Sequence, residues 1–139
     1  MNNEDYCSYE LSKALKACGF DGPCNKWIAS KSFSYYNEDE CCDHNAVIRK
    51  GWLISQKQKD RYDQDALPYL SLYHAQKWLR EKHHLSVEPY ANIVADFNYN
   101  ITDLELFADY KGNGIGYKSY ECALSAGISA ALELIKKGE

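Results

Sequence analysis

Six cysteines and four histidines are the residues of this chain best equipped for chemistry, and their densest grouping is Cys41-Cys42-Asp43-His44. Thiolate and imidazole ligands in a tetrahedral set hold zinc, and Cys18, Cys24, His83 and His84 are further donors along the chain. Structural zinc sites present their ligands in pairs at spacings such as Cys-x-x-Cys. That spacing is absent: Cys18 and Cys24 straddle a helix stop, and neighbouring Cys41 and Cys42 do not readily face one ion together. A Cys–His pair would allow nucleophilic attack if Cys42 met His44, His83 or His84 in space, but no motif supplies the third group that orients such a pair. Glu38, Asp39, Glu40 and Asp43 make an acidic loop without the ordered ligand spacing of a calcium site. Gly112, Gly114 and Gly116 lack the preceding strand and the later acidic residue of a dinucleotide site, so they read as a flexible turn. The expectation is no catalytic residue, no metal and no cofactor.

Side chains suited to binding are more plentiful. The chain has twelve tyrosines, and Tyr35, Tyr36, Tyr62, Tyr69 and Tyr73 fall in or near its middle third. Tyrosine combines a large contact area with a polar tip and is enriched at interfaces, although it serves equally in cores and sheets. The net charge of -4 is unevenly spread: residues 49–84 hold eight Lys/Arg against four Asp/Glu, and the segment on either side holds four against eight. Arg49, Lys50, Lys57, Lys59, Arg61, Lys77, Arg80 and Lys82 form this basic band, which suits phosphates or an acidic partner surface and also suits an ordinary solvated helix face. Tyr35, Tyr36, Tyr73, Lys77, Arg80 and Lys82 are the candidate binding residues.

The elements that must position these side chains are legible from periodicity. Tyr120, Ala123, Leu124, Gly127, Ile128, Ala131, Leu132 and Ile135 recur at helical spacing, with Ser119 to cap the start and Lys136 and Lys137 to suit the end. Ser8 caps a shorter helix whose apolar face is Leu11, Ala14, Leu15 and Cys18, stopped by Gly19 and Phe20. Ser71 caps another, with Leu72, Ala75, Trp78 and Leu79 on one face and Lys77, Arg80, Glu81 and Lys82 outside it. Lys26–Ala29 and Ser32–Tyr36 suggest a hairpin, and Trp52-Leu53-Ile54 a short apolar stretch. Leu85–Ile93, Ala95–Ile101 and a short Phe107–Tyr110 read as strands, with alternation at 95–101 implying one wet face. Gln56–Asp65 is polar and reads as an exposed connection. The expected fold is α+β: one domain over 1–139, with helices on one face of a small antiparallel sheet, an exposed connection near 55–66, and a C-terminal α-β-β-(β)-α order.

Two resemblances attach to these residues. Tyr9-Glu10-Leu11 with Leu15, Gly19-Phe20 and Pro23-Cys24, then Ala75-Gln76-Lys77-Trp78-Leu79-Arg80-Glu81-Lys82-His83, then Tyr117 through Leu124 with Gly127-Ile128 and Ala131-Leu132, resemble a group of short uncharacterised proteins. These occur in bacteriophages and mobile elements of gut bacteria, and the likeness covers about two thirds of the chain. It implies a setting and no catalytic residues. The order of helix, strands, Gly112-x-Gly114 and terminal helix is also similar to a double-stranded-RNA-binding domain. Laid on that family's Ser-Lys-Lys-x-Ala-Lys pattern from Ser119, with Ala123 on the alanine, the three phosphate-binding lysines fall on Tyr120, Glu121 and Leu124. The resemblance thus implies the topology without the positive helix end that straddles RNA.

No apolar run approaches the roughly 20 residues of a membrane span, and Asn2, Asn3, Glu4 and Asp5 do not form a signal peptide, so a cytoplasmic setting is expected, with the cysteines reduced. With the phage resemblance, this points to a non-enzymatic accessory protein that blocks or sequesters a host component, as in counter-defence. The expected partner is a host protein and not a membrane. A nucleotide or nucleic-acid binder using the basic band, and a self-assembling virion or scaffold component, are the alternatives.

Overall fold

The computed structural model describes residues 5–22, 24–30, 51–62, 66–92, 96–111 and 116–137. The fold is α+β, with two three-stranded antiparallel sheets where the sequence suggests one. The chain groups into two compact units, residues 6–70 and residues 71–139 with 1–5.

In the 6–70 unit, helix α1 (Tyr9–Ala17) starts where the Ser8 hydroxyl accepts a hydrogen bond from the Leu11 amide at 3.1 Å. Leu11 and Leu15 on its inner face are buried. The helix stops at Gly19, whose φ of +81° is a left-handed conformation that glycine adopts without Cβ strain, and the Phe20 amide returns to the Leu15 carbonyl. Strands β1 (Lys26–Ser30), β2 (Gly51–Ser55) and β3 (Leu67–Pro68) form a sheet in the order β2-β1-β3. Its described partners for β1 are thus distant in sequence; the suggested hairpin arm 32–36 lies outside the described residues. Ile28 pairs with Leu53, and both pack with Tyr9, Leu67 and Tyr69. Ala29 and Ile54 face the other way with Ala66 and Trp27. Within the stretch read as an exposed connection near 55–66, Gln56–Tyr62 forms helix α2, on which Gln56, Lys57 and Asp60 are exposed, and Ala66 beyond it is buried. The cause is tertiary. Gln56 Oε1 accepts from the Trp27 indole at 2.7 Å, Gln56 Nε2 donates to Asp60 one turn on, and the Lys59 ammonium lies over the Trp27 ring.

In the other unit, α3 (Leu72–His83), β4 (Leu85–Ala91), β5 (Phe97–Asp103), β6 (Ala108–Lys111) and α4 (Tyr120–Lys137) follow in the α-β-β-β-α order read from the sequence. Ser71 and Ser119 cap the helices, accepting from the His74 and Cys122 amides at 3.1 Å each. The sheet is an antiparallel meander, β4-β5-β6, with Val87 opposite Ile101 and Ile101 opposite Tyr110. Leu72, Ala75, Trp78 and Leu79 of α3 and Ala123, Leu124, Gly127, Ile128, Ala131 and Leu132 of α4 are buried with Val87, Tyr99 and Ile101. Each fully buried leucine or isoleucine contributes about 2 kcal/mol. At Gly127 a Cβ would sit 2.5 Å from Val87 Cγ1, so the absence of a side chain sets how closely α4 approaches the sheet. The β4 edge is protected twice: the Gln76 amide donates to the Val87 carbonyl at 2.6 Å, and Pro89 removes a ladder donor.

Candidate functional site

The α3 surface carries four of the six candidate binding residues. Tyr73, Lys77 and Arg80 stand at i, i+4 and i+7 on the side of the helix away from Leu72, Ala75 and Leu79, and all three are exposed, as is Lys82 in the last turn. The Tyr73 hydroxyl donates to Glu121 Oε1 at 3.2 Å, and partial burial together with this carboxylate raises the phenol above its ordinary range. Tyr35 and Tyr36 lie outside the described residues, as do Cys41, Cys42, Asp43 and His44. Lys77, Arg80 and Lys82 are therefore the accessible cations of the basic band on this unit, with Tyr73 at one end of the stripe.

At the start of α4 the three positions that would match the RNA-binding pattern's lysines carry none, although exposed Lys118 stands just before the Ser119 cap. Of the three positions where the RNA-binding resemblance would put lysines, Tyr120 packs edge-on against Phe97, Glu121 receives the Tyr73 hydrogen bond, and Leu124 is fully buried. A phosphate approaching this helix end meets the Glu121 carboxylate in place of the pattern's second lysine, which opposes the attraction of Lys118 and of the helix N-terminus.

Two thiols of the 6–70 unit, Cys7 and Cys24, are poor nucleophiles. Cys7 is buried and its thiol is pushed up to about 12 by that burial, with neighbouring Cys24 adding to the rise; burial raises Cys24 as well. Both stay protonated near neutral pH, and it is the thiolate that attacks or ligates. Among the described residues, no group of three or more His, Cys, Asp or Glu side chains is placed to hold a metal ion.

The feature that sequence reasoning missed is the turn between β5 and β6. Residues 104–107, Leu-Glu-Leu-Phe, are apolar enough that Phe107 reads as the first residue of a strand. That strand instead begins at Ala108, and Phe107 lies in the turn. Leu104 is 41% exposed, Leu106 72% and Phe107 87%. Phe107 also has φ +55°, a left-handed conformation that costs a bulky L-residue roughly 1–2 kcal/mol. The turn is nonetheless firmly built. Asp103 Oδ1 accepts from the amides of both Glu105 and Leu106 at 3.0 Å, and the Leu104 amide donates to the His84 carbonyl at 2.7 Å. His84, itself left-handed at φ +58° where α3 ends, brings its Nε2 within 3.3 Å of Glu105 Oε1. The signal available in the sequence is Asp103 itself, since an Asp side chain that can accept from amides two and three residues on favours a turn over a continued strand. The result is a convex apolar tip held at the corner between α3 and β4.

None of the described helices is long and apolar enough to cross a membrane. No protein-family model, no curated protein and no solved structure matches this chain.

Proposed function

We propose that this chain is a non-enzymatic binding protein that acts by occupying a host protein. The observation that carries the reading is the tip formed by Leu104, Leu106 and Phe107. Folding gains nothing from exposing three large apolar side chains on four consecutive positions, and Phe107 adds backbone strain to that exposure. Both costs are recovered when a partner covers the tip. The hydrogen bonds that the turn amides donate to Asp103 and to the His84 carbonyl support the same reading, because they order the tip before binding and so reduce the entropy lost on docking. The resemblance to phage and mobile-element proteins supplies the setting, in which blocking or sequestering a component of the host cytosol serves counter-defence. The test is capture from lysate of the host bacterium with the native chain and with Phe107→Asn as baits. A host protein retained by the first and lost from the second supports the reading; equal capture by both removes the tip from it.

A second reading is nucleic-acid binding through α3, favoured by the exposed Lys77, Arg80 and Lys82. Gel-shift titration against duplex RNA, single-stranded RNA and DNA separates the two. Protein occupancy predicts no sub-micromolar, salt-sensitive shift, whereas binding by the band predicts one that Lys77→Glu, Arg80→Glu and Lys82→Glu abolish.

A further inference from the structure

The charges around the apolar tip specify what it fits. Asp103 and Glu105 belong to the turn or its base, and Asp109 follows one residue into β6, exposed and accepting a hydrogen bond from the Thr102 hydroxyl at 2.8 Å. Thr102 and Asp109 are opposite one another in the ladder, so this carboxylate stands on the open face of the sheet, away from the helices. Glu88, exposed on the neighbouring strand, shares that face, because its ladder partner Asn100 lies two residues from Thr102 along β5. Against Asp103, Glu105, Asp109 and Glu88, the cationic positions are Lys82 at the end of α3, the His84 ring that pairs with Glu105, and Lys111 opposite Asn100 in the ladder; nearest the turn itself, Asp103, Glu105 and Asp109 predominate.

We propose that the 104–107 turn is an anchor for a protein cavity that is apolar within and ringed by lysine or arginine. Phe107 and Leu106, the two most exposed side chains of the turn, enter the cavity. Asp103, Glu105 and Asp109 meet its basic rim, where charge complementarity steers the encounter and fixes orientation. The convex shape requires a concave partner, and the order imposed by Asp103 means that the anchor docks without first folding. The same carboxylates oppose the other apolar destination for such a tip, a bilayer with anionic headgroups. This assignment rests on the protein-binding reading above and names the chemistry of its partner.

A defined host molecule tests that chemistry without the natural partner. β-Cyclodextrin offers a cavity that admits a phenyl ring, and its rim can be left neutral, made cationic with amino groups or made anionic with sulfonates. Titration of the full chain, followed by NMR at the Phe107 and Leu106 side chains, should show binding in the order cationic, neutral, anionic. At low ionic strength the cationic host should bind roughly three- to tenfold tighter than the neutral one, narrowing as salt is added. Glu105→Gln should shrink that preference. Phe107→Asn should abolish shifts at the turn, whereas Tyr110→Asn, which removes another exposed ring of the unit, should not. Equal affinity for cationic and anionic hosts would overturn the basic-rim assignment. So would Phe107-dependent adsorption to vesicles of phosphatidylcholine with phosphatidylglycerol, which would make the tip a membrane anchor. Lysate capture lost in Phe107→Asn with no rim preference would sink this inference alone and leave protein binding standing.

Discussion

Replacing Phe107 with asparagine should make the protein more stable and, on the proposed binding reading, abolish capture. Asparagine tolerates the left-handed conformation, because its short polar side chain bonds locally, so the substitution recovers about 1 kcal/mol of backbone strain at φ +55°. Against this stands the lost burial of the ring. Phenylalanine contributes up to about 3 kcal/mol when fully buried. Here it is 87% exposed, so only the remaining eighth or so of its surface is at stake, worth roughly 0.3 kcal/mol. The difference favours the variant by about 0.5–1 kcal/mol, or an increase of a few degrees in melting temperature. Phe107→Gly should fall between the two proteins, because glycine relieves the same strain but gives the unfolded chain more freedom. Urea unfolding of the three proteins, with capture measured in parallel, reads out both effects. A Phe107→Asn variant destabilised by more than about 1 kcal/mol would refute the reasoning, since that loss would place the ring in a packed site and not at a binding tip.

Four further outcomes follow from the packing. Leu132→Ala should cost about 2–5 kcal/mol in urea unfolding, because Leu132 is buried on the inner face of α4. Gly127→Ala should destabilise by about 1–3 kcal/mol despite alanine's better helix propensity, because its Cβ would meet the stiff Val87 side chain at 2.5 Å; a neutral or stabilising result would show that α4 can move off the sheet. Ser12→Ala should stabilise α1 by about 1 kcal/mol, since the Ser12 hydroxyl is buried without a hydrogen-bond partner among the described residues and alanine is the better helix former. Stability should fall between pH 9 and pH 12: the Cys7 thiol is raised from 9.0 to about 12 in the fold, so its neutral form favours folding fully below pH 9 and that contribution is lost as pH climbs toward 12. The slope attributable to this thiol is about 1.4 kcal/mol per pH unit, and Cys7→Ala should flatten the profile by that amount.

How much of this was legible in the sequence depends on where each element finds its stabilisation. The helices α1, α3 and α4 carry their own instructions, namely serine caps and an apolar stripe at helical period, and the side of α3 that bears Tyr73, Lys77 and Arg80 follows directly from the stripe that it must bury. Helix α2 carries no such stripe. Gln56-Lys-Gln-Lys-Asp-Arg-Tyr62 becomes helical beside Trp27, a strand residue 29 positions away in sequence from its hydrogen-bond partner Gln56, and no local window contains that contact. Strand β1 is similar: its residues show strand character, but its described partners, Gly51–Ser55 and Leu67–Pro68, lie beyond the nearest apolar run.

At the 104–107 tip, only Phe107 reads from the sequence as strand, as the first residue of Phe107–Tyr110, and its place in a turn has a different cause. Apolar residues following a strand normally mean more strand, because a pleated surface buries every second one. Asp103 breaks that logic by taking the Glu105 and Leu106 amides onto its own carboxylate, so the ladder ends and the apolar side chains turn outward together. Local rules favouring a strand and an observed turn that exposes Leu104, Leu106 and Phe107 are in conflict, and such conflicts concentrate where a surface is shaped for something other than folding. The six candidate residues chosen from composition were selected for being polar, basic or tyrosine. The structure adds the opposite signature, large apolar groups held in water by a rigid frame, which composition cannot distinguish from core.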